Sequence, residues 1–404
     1  MSTSLLYHAF GVRGYRYQRT EYDGGMVLFH IEPTEKMMCC SECGSRNVVR
    51  RGNKERWFRS VPIGAKLTWL VVNIPRVQCH DCQVVRQIKL GFAKPRRTVT
   101  KAWARYALEL SRKMTIKDVA EALCVTWDVV KEIKKTYLQK HFSKPPLKDV
   151  RQIAIDEIRI GSGPRYVTLV LDLETGAVLF LGEGKSADSL VPFWRRLKRS
   201  RARIDAVAID MSQAYIHAVE KHLPNAVIVF DHFHVVKLMN GKLTALRRDL
   251  YREATEQLGK DVLKGIRWLL LKNPEKLNED KDEPARLEEA LKMNAPLAMA
   301  YYLKEDLRQF WEQPTKAAAR RFLGAWYDRA MSTGIKQLMT MARTLAAHTF
   351  GLLSYYDYPI STGPLEGTNN KIKTLQKQTY GIRDHEYFKL SIYALHRMKY
   401  ALVG

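Results

Sequence analysis

The sequence has few cysteines, no long apolar run and a shortage of acidic residues, and each absence excludes a class of protein. Six cysteines among 404 residues are too few for an extracellular domain built on disulfides. No apolar stretch approaches the roughly 20 residues that a membrane-spanning helix needs, and residues 1–17 lack the apolar core of a signal peptide. We therefore expect a cytoplasmic protein whose reduced cysteines bind metal or pack in a core.

The shortage of acidic residues leaves a strong positive charge. Against 42 Asp and Glu stand 67 Lys and Arg, which gives a formal net charge of +25 and a pI near 9.8. Residues 1–150 carry 28 basic and 13 acidic residues, an excess of 15. A surplus of this size is unusual for an enzyme of neutral metabolites and favours a polyanionic partner. The N-terminal part is the first candidate for contact with nucleic acid.

Four of the six cysteines form two pairs with the spacing of zinc ligands. Each pair is a Cys-x-x-Cys knuckle, Cys40 with Cys43 and Cys79 with Cys82, and two such knuckles complete a tetrahedral thiolate site. Residues 57–79 alternate apolar and polar side chains, as expected of hairpin strands that bring the knuckles together. We predict a zinc ribbon with one structural Zn²⁺, and the alternative is two pairs of buried thiols.

Residues 115–138 have the pattern of two short helices joined by a turn. Thr115 can cap the first helix, and residues 127–138 form the second. This pattern is typical of helix-turn-helix DNA-binding domains, although an ordinary amphipathic helix pair would share it. Cys124 is predicted to be a core residue. The predicted DNA contacts of the second helix are its outward-facing lysines, Lys131, Lys134 and Lys135.

Beyond a Pro-containing linker at residues 143–150, the pattern changes to strands. Three β-rich runs within residues 150–184 are separated by turns, and a helix, a strand, a helix and a fifth strand follow. This order is that of a ribonuclease H-like fold, a mixed α/β sheet in which the first and fourth strands are neighbours. The long helix-patterned segment that follows predicts an α-helical insertion.

Two aspartates stand at corresponding positions of the first and fourth strands. Asp156 ends the apolar part of the first strand and Asp210 ends the fourth. We expect both carboxylates at one edge of the sheet, with Glu157 on the opposite face. Close carboxylates repel unless cations bind between them, and two hard divalent ions suit such a pair. This arrangement predicts two-metal hydrolysis of a phosphodiester.

The stretch STGPLEGTNNKIK places one acid at the start of a basic helix. Ser361 or Thr362 can cap this helix, and Glu366 then lies in its first turn. We predict that Glu366 is the third carboxylate ligand, and the alternative is that it complements the helix dipole. The residues predicted to contact DNA phosphates here are Asn369, Asn370, Lys371, Lys373, Lys377 and Arg383.

These motifs, with FDHFHVVKLMN after the second aspartate and YGIR after the basic helix, follow one order along nearly the whole chain. In this order they resemble transposases of the ISL3 family of bacterial insertion sequences, which are of the Asp-Asp-Glu type. The resemblance implies that Asp156, Asp210 and Glu366 coordinate two Mg²⁺ ions, which Mn²⁺ can replace. It also implies N-terminal binding to the terminal inverted repeats of an element, cleavage by water, and attack of the freed 3′-hydroxyl on target DNA.

The resemblance adds expectations about neighbours and partners. Asp231 and His234 match an Asp-x-x-His motif that places them beside the metals or the scissile strand, with a polar strand end as the alternative. Two element ends must be held together, so we expect at least a homodimer on double-stranded DNA at the bacterial nucleoid. Trp311 and Trp326 could stack on a flipped base or pack in the core. The alternative function is a non-catalytic DNA-binding regulator derived from a transposase.

The resulting domain organisation is a zinc-ribbon domain, a helix-turn-helix domain, a linker and a catalytic core interrupted by the insertion. The predicted ranges are, in this order, 1–96, 97–142 and 143–150, then 151–240 for the first part of the core, 241–355 for the insertion and 356–404 for the last part, which carries Glu366.

Overall fold

Two β-sheets, each joined to its own helices, make up the described part of the chain. The computed structural model describes residues 5–161, 163, 165–255, 257–360, 363–379 and 383–396. The contacts divide the chain into two units, with the division between His141 and Phe142. The predicted caps Ser361 and Thr362 lie outside the described residues. Within those ranges, every helix is too short or too polar to cross a bilayer.

The first unit contains a five-stranded sheet and the helices that follow it. Its elements are α1 (Leu5–Phe10), β1 (Tyr15–Asp23), β2 (Met26–Pro33), β3 (Val48–Ile63), β4 (Lys66–Cys79), β5 (Val85–Gln87), α2 (Lys101–Leu110), α3 (Ile116–Ala122) and α4 (Trp127–Phe142).

The sheet is organised by the long β3–β4 hairpin. The strand order is β1-β2-β4-β3, with β5 paired to β4. Leu70, Val72 and Ile74, alternate residues of β4, are buried together with Phe58 of β3 against one core, as expected of one face of a sheet. The antiparallel register pairs Val48 with Cys79. The hairpin therefore carries the second knuckle back to the first, and the predicted zinc-ribbon fold is confirmed.

Helices α2 to α4 form the predicted helix-turn-helix. Thr115 and Asp118 form a reciprocal capping box at the start of α3, which satisfies two backbone N–H groups that the helix leaves unpaired. Val119 and Val130 are buried in a small core between the helices. The prediction that Cys124 is a core residue is wrong, because it lies in the turn with a φ of 48° and an exposed side chain.

The second unit contains another five-stranded sheet and a group of helices. Its elements are β6 (Gln152–Ile160), β7 (Arg165–Asp172), β8 (Val178–Glu183), α5 (Val191–Ser200), β9 (Ala206–Ile209), α6 (Gln213–His222), β10 (Val227–Phe230), α7 (His232–Glu253), α8 (Gln257–Gly265), α9 (Glu283–Lys292), α10 (Ala295–Arg308), α11 (Lys316–Ser332), α12 (Lys336–Ala347), α13 (Thr349–Leu353), α14 (Gly363–Gln378) and α15 (His385–Ala394).

The second sheet has the predicted mixed topology. Its strand order is β10-β9-β6-β7-β8. Strands β6, β7 and β8 form an antiparallel meander, whereas β9 is parallel to β6 and β10 is parallel to β9. The first and fourth strands of this unit, β6 and β9, are therefore neighbours. This is the ribonuclease H-like order, and the fold class is confirmed.

The helical region between β10 and α14 begins immediately after the last strand of the sheet. Helix α7 is continuous for 22 residues, so the boundary predicted between residues 240 and 241 lies inside one helix. Trp326 is fully buried and donates a hydrogen bond to the Leu303 carbonyl at 2.9 Å, which makes it a core residue. Trp311 packs against His232 with ring centroids 3.9 Å apart. The segment predicted as a linker also packs, since Leu147 is buried in the same core.

The packing of α13 on β10 predicts a specific sensitivity to one methyl group. A Cβ added at Gly351 would lie 2.4 Å from Cε2 of the buried Phe230 ring. We expect Gly351→Ala to destabilise the protein by about 1–3 kcal/mol, because overpacking forces a buried ring to move. Gly324→Ala in α11 is the matched control, since no described atom beyond the adjacent turns of its own helix lies within 4 Å of its added Cβ. Urea unfolding followed by circular dichroism compares the two, and equal midpoints would contradict the packing described.

Candidate active site and metal centre

The four cysteines of the two knuckles converge at one point. The Cys40 and Cys82 Sγ atoms are 3.6 Å apart, those of Cys43 and Cys79 are 3.5 Å apart, and all four lie within 4.8 Å of one another. A tetrahedral zinc ion with Zn–S bonds near 2.3 Å needs sulfurs about 3.8 Å apart, so the cluster fits this ion. Hydrogen bonds from the backbone N–H groups of Cys43 and Glu42 lower the pKa of Cys40 to about 7, which favours the thiolate that binds metal.

The second cluster lies where β6 and β9 run side by side. Their parallel register ends with the pair Ala154 and Ala208. Asp156 and Asp210 each follow that pair by two residues, Asp156 within β6 and Asp210 just beyond the end of β9. Strand side chains alternate between faces, so Asp156 shares the face of Ala154, and the charges of Asp156 and Asp210 both act on His234 and Glu157. The structure thus brings together the two aspartates that the sequence predicted at one sheet edge.

Three neighbours surround the Asp156 carboxylate. The Asn369 amide of α14 donates a hydrogen bond from Nδ2 to Oδ2 at 2.7 Å, and the Glu157 backbone N–H donates to Oδ1 at 2.7 Å. The His234 Nε2 atom lies 3.7 Å from Oδ1. The side chain of Asp156 is 14% exposed, so it is held by protein contacts and still reachable from solvent.

Asp231 and His234 form a pair next to this carboxylate. Asp231 caps α7 by accepting a hydrogen bond from the Phe233 N–H at 2.9 Å, and its other oxygen lies 2.8 Å from His234 Nδ1. Hydrogen bonding to Asp231 is the main reason why the pKa of His234 is raised, and the charges of Asp156 and Asp210 add to it. The pair therefore places an imidazole with a raised pKa beside the predicted metal ligand.

Glu157 points to the opposite face of the sheet, as alternation predicts. Its Oε1 accepts a hydrogen bond from the Tyr215 hydroxyl of α6 at 2.8 Å. Burial raises the pKa of Glu157, and the nearby charges of Asp210 and Asp156 raise it further. The role of Tyr215 was not predicted from sequence, although its place in the helix after Asp210 was a usable signal.

Glu366 is carried by α14, the helix that Asn369 joins to Asp156. It lies exposed in the first turn of that helix, three residues before Asn369, and residues three apart are neighbours on a helix surface. Within the described residues, the four cysteines are the only ligand set that closes to 4.8 Å. Asp156, Asp210 and Glu366 do not form such a closed set in the described part of the chain.

The residues predicted to contact DNA are placed differently from one another. Lys131 extends over the Trp127 ring, with Nζ 5.4 Å from its centroid. The prediction that Lys134 points outward is wrong, because its Nζ lies 3.4 Å from the Ser111 carbonyl oxygen and burial lowers its pKa. Lys135, in the next position of α4, is half-buried, and Arg383 is exposed before α15.

Along α14 the predicted DNA contacts separate into two sides. Glu366, Asn370, Lys373 and Lys377 recur at helical spacing and are all exposed, so they form one stripe. Lys371 lies on another side, where its Nζ is 3.4 Å from Nδ1 of His396. Asn369 is directed inward to Asp156 instead.

Comparison with known proteins adds independent information. A family model described as "Transposase" matches residues 153–392, more than half of the chain. A model of the "zinc-finger of transposase IS204/IS1001/IS1096/IS1165" matches residues 36–82, and one of the "Helix-turn-helix domain of transposase family ISL3" matches residues 88–137.

Two relatives match this chain over most of their own length. The chain is 34% identical over 390 residues to the transposase for insertion sequence element IS1001 of Bordetella parapertussis, covering 95% of this chain and 96% of that protein. It is 27% identical over 389 residues to the transposase for IS1557 of Mycobacterium tuberculosis, covering 89% and 86%. The Drosophila P element transposase strand transfer complex aligns with a TM-score of 0.40 and 9% identity over 73% of this chain and 91% of that one. From the family models and the first relative, we conclude that the chain belongs to the ISL3 family of transposases.

Proposed function

We propose that this transposase binds the terminal inverted repeats of an insertion sequence, cleaves the DNA at the element ends by two-metal phosphodiester hydrolysis and joins the freed 3′-hydroxyl to target DNA. The observation that supports this proposal is the β6–β9 pairing, because Asp156 and Asp210 each follow its last pair, Ala154 and Ala208, by two residues. Helix α14 supports it, because its residue Asn369 bonds to Asp156 one turn after Glu366. We also propose that the protein acts as at least a homodimer, since two ends must be joined.

The residues that would hold two Mg²⁺ ions are Asp156, Asp210 and Glu366. Their carboxylate oxygens are the hard donors that Mg²⁺ and Mn²⁺ prefer. Hydrogen bonds to Asp156 leave each of its oxygens a further lone pair. When bound, such ions polarise the scissile phosphate and lower the pKa of the attacking water.

The protein's other groups orient the DNA around these carboxylates. His234, whose cationic form Asp231 favours, is in position to donate a hydrogen bond to a phosphate oxygen near Asp156. The exposed stripe of α14 provides Lys373 and Lys377 for phosphates further along the strand. In the N-terminal unit, Lys131 and Lys135 of α4 are the proposed contacts with the terminal repeat, whereas Lys134 is turned inward.

The proposed active site predicts that each acid is required for cleavage. We expect Asp156→Asn, Asp210→Asn and Glu366→Gln to slow formation of the 3′-hydroxyl at an element-end duplex by at least about a hundredfold, because each removes a charge that holds the ions. The assay uses purified protein, the end duplex and Mg²⁺ or Mn²⁺.

Asp205→Asn is the matched control. Asp205 precedes β9, the strand that Asp210 follows, and it pairs with Arg203 at the surface. Full cleavage by any of the three variants would refute the proposed site. A wild-type protein that binds the end duplex and never cleaves it would favour the alternative, a DNA-binding regulator.

The two sides of α14 predict different effects on DNA binding. We expect Lys373→Ala/Lys377→Ala to weaken binding of the end duplex and to reduce the slope of log affinity against log salt by about 2, because each phosphate contact contributes about 1. Lys371→Ala removes the same charge on another side of the helix, and its effect should be clearly smaller per lysine. Fluorescence anisotropy at several salt concentrations measures the affinity of both variants for the end duplex. An equal reduction of the slope per lysine in the two variants would contradict the assignment of Lys373 and Lys377 to the DNA-binding stripe.

The thiolate cluster predicts one tightly bound zinc ion per chain. Cys40→Ser/Cys79→Ser should lose the ion and unfold the ribbon, because folding of such a domain depends on its metal. Cys39→Ser and Cys124→Ser are the controls, since neither sulfur belongs to the cluster. Elemental analysis of the purified proteins gives the number of zinc ions per chain. Retention of zinc by the double variant, or its loss in either control, would overturn the ligand assignment.

A further inference from the structure

Two consecutive asparagines in α14 have different surroundings. Asn370 is exposed and lies in the stripe of Glu366. Asn369 turns toward the sheet, and its Nδ2 donates a hydrogen bond to Asp156 Oδ2 at 2.7 Å. Because both residues are amides of the same size, the difference between them lies in position alone.

The Asn369 amide is held in one orientation by Asp156. Its Oδ1 atom is buried, and none of the described residues donates a hydrogen bond to it. Reversing the amide would place Oδ1 against the carboxylate oxygen of Asp156, which offers no proton when ionised. Asn369 therefore leaves one buried polar atom unpaired and keeps the bond to Asp156, and such an exception in a folded protein calls for an explanation.

The same helix is fastened to β6 at a second point. Gln376 donates a hydrogen bond from Nε2 to the Arg159 carbonyl at 3.0 Å. The seven residues from Asn369 to Gln376 rise about 10.5 Å along the helix, and the three residues from Asp156 to Arg159 span about 10 Å along the strand. The similar lengths mean that α14 follows β6, and the bond at Asp156 is the one of the two that lies closer to the first turn of the helix.

We propose that Asn369 is the positioning residue of the metal site. It fixes the Asp156 carboxylate and connects the helix that carries Glu366 to the strand that carries Asp156. An amide suits this task because it donates a hydrogen bond without neutralising the carboxylate, whereas Lys or Arg would compete with the cations. This inference rests on the proposed function, in which these two acids hold divalent ions.

The test compares Mn²⁺ binding by two neighbouring variants. Full-length, zinc-loaded protein is titrated with Mn²⁺ alone, and the free ion is counted by electron paramagnetic resonance. We expect Asn369→Ala to raise the Kd for Mn²⁺ by about 10- to 100-fold, the usual effect of removing a group that orients a ligand. Asn370→Ala should leave the Kd for Mn²⁺ at the wild-type value, because that side chain is exposed and the bond to Asp156 is made by Asn369.

A second readout separates positioning from DNA contact. In the cleavage assay, Asn369→Ala should need a higher Mn²⁺ concentration for half-maximal rate, with an unchanged KM for the end duplex. A role in phosphate binding would instead raise the KM and leave the Mn²⁺ requirement alone. If Asn369→Ala does not fold by circular dichroism, Asn369→Ser is used. Its hydroxyl ends one bond short of the Nδ2 position that donates to Asp156, so the same increase in the Kd for Mn²⁺ is expected.

Asp156→Asn distinguishes failure of this inference from failure of the proposed function. If Asp156→Asn leaves Mn²⁺ binding unchanged, the proposed metal site is wrong. If Asp156→Asn loses Mn²⁺ while Asn369→Ala binds it as the wild type does, the metal site stands and the positioning role of Asn369 is overturned.

Discussion

The parallel pairing of β6 with β9 is the constraint on which the proposed active site depends. Asp156 and Asp210 are 54 residues apart in sequence, and a parallel pair requires a crossover between its strands. The meander and α5 provide that crossover. A slip of one residue would turn every side chain to the other face, and the fully buried Ile153 and Val207 prevent it. The packing of the apolar core therefore fixes the register of the two strands and, with it, the positions of the carboxylates.

Each group around this pair comes from a different element. Asn369 reaches Asp156 from α14, and His234 reaches it from α7. On the opposite face, the hydroxyl of Tyr215 in α6 donates a hydrogen bond to Glu157. This bond attaches α6 to the other side of β6. The site is therefore a meeting point of helices on both faces of the sheet, and its geometry is defined only when those helices pack. This explains why the central strand carries polar residues at two successive positions in an otherwise apolar run.

The sequence predicted the strands, their order and the positions of the acids, because alternation and strand ends are local signals. It did not predict which side of a helix is covered by another element of the fold. Lys134 looked exposed on a helical projection, yet the end of α2 lies over it and its ammonium group meets Ser111. Asn369 looked like its neighbour Asn370 for the same reason. The continuity of α7 through the predicted boundary at residues 240 and 241 was hidden as well, since both sides are helical in pattern.

Helix α14 combines an acid that would hold cations with lysines that would bind an anion, and distance keeps the two from cancelling. On the side of Glu366 the residue one turn away, Asn370, is neutral. The first cation on that side, Lys373, is seven residues along, or about 10.5 Å by the helical rise. This exceeds the screening length of about 8 Å at physiological salt, so an exposed Lys373 scarcely weakens the attraction of Glu366 for a divalent ion. A lysine at position 370 would lie within that length and would compete for the carboxylate. The spacing of charges on one helix therefore permits a cation site and a phosphate track to serve the same DNA strand.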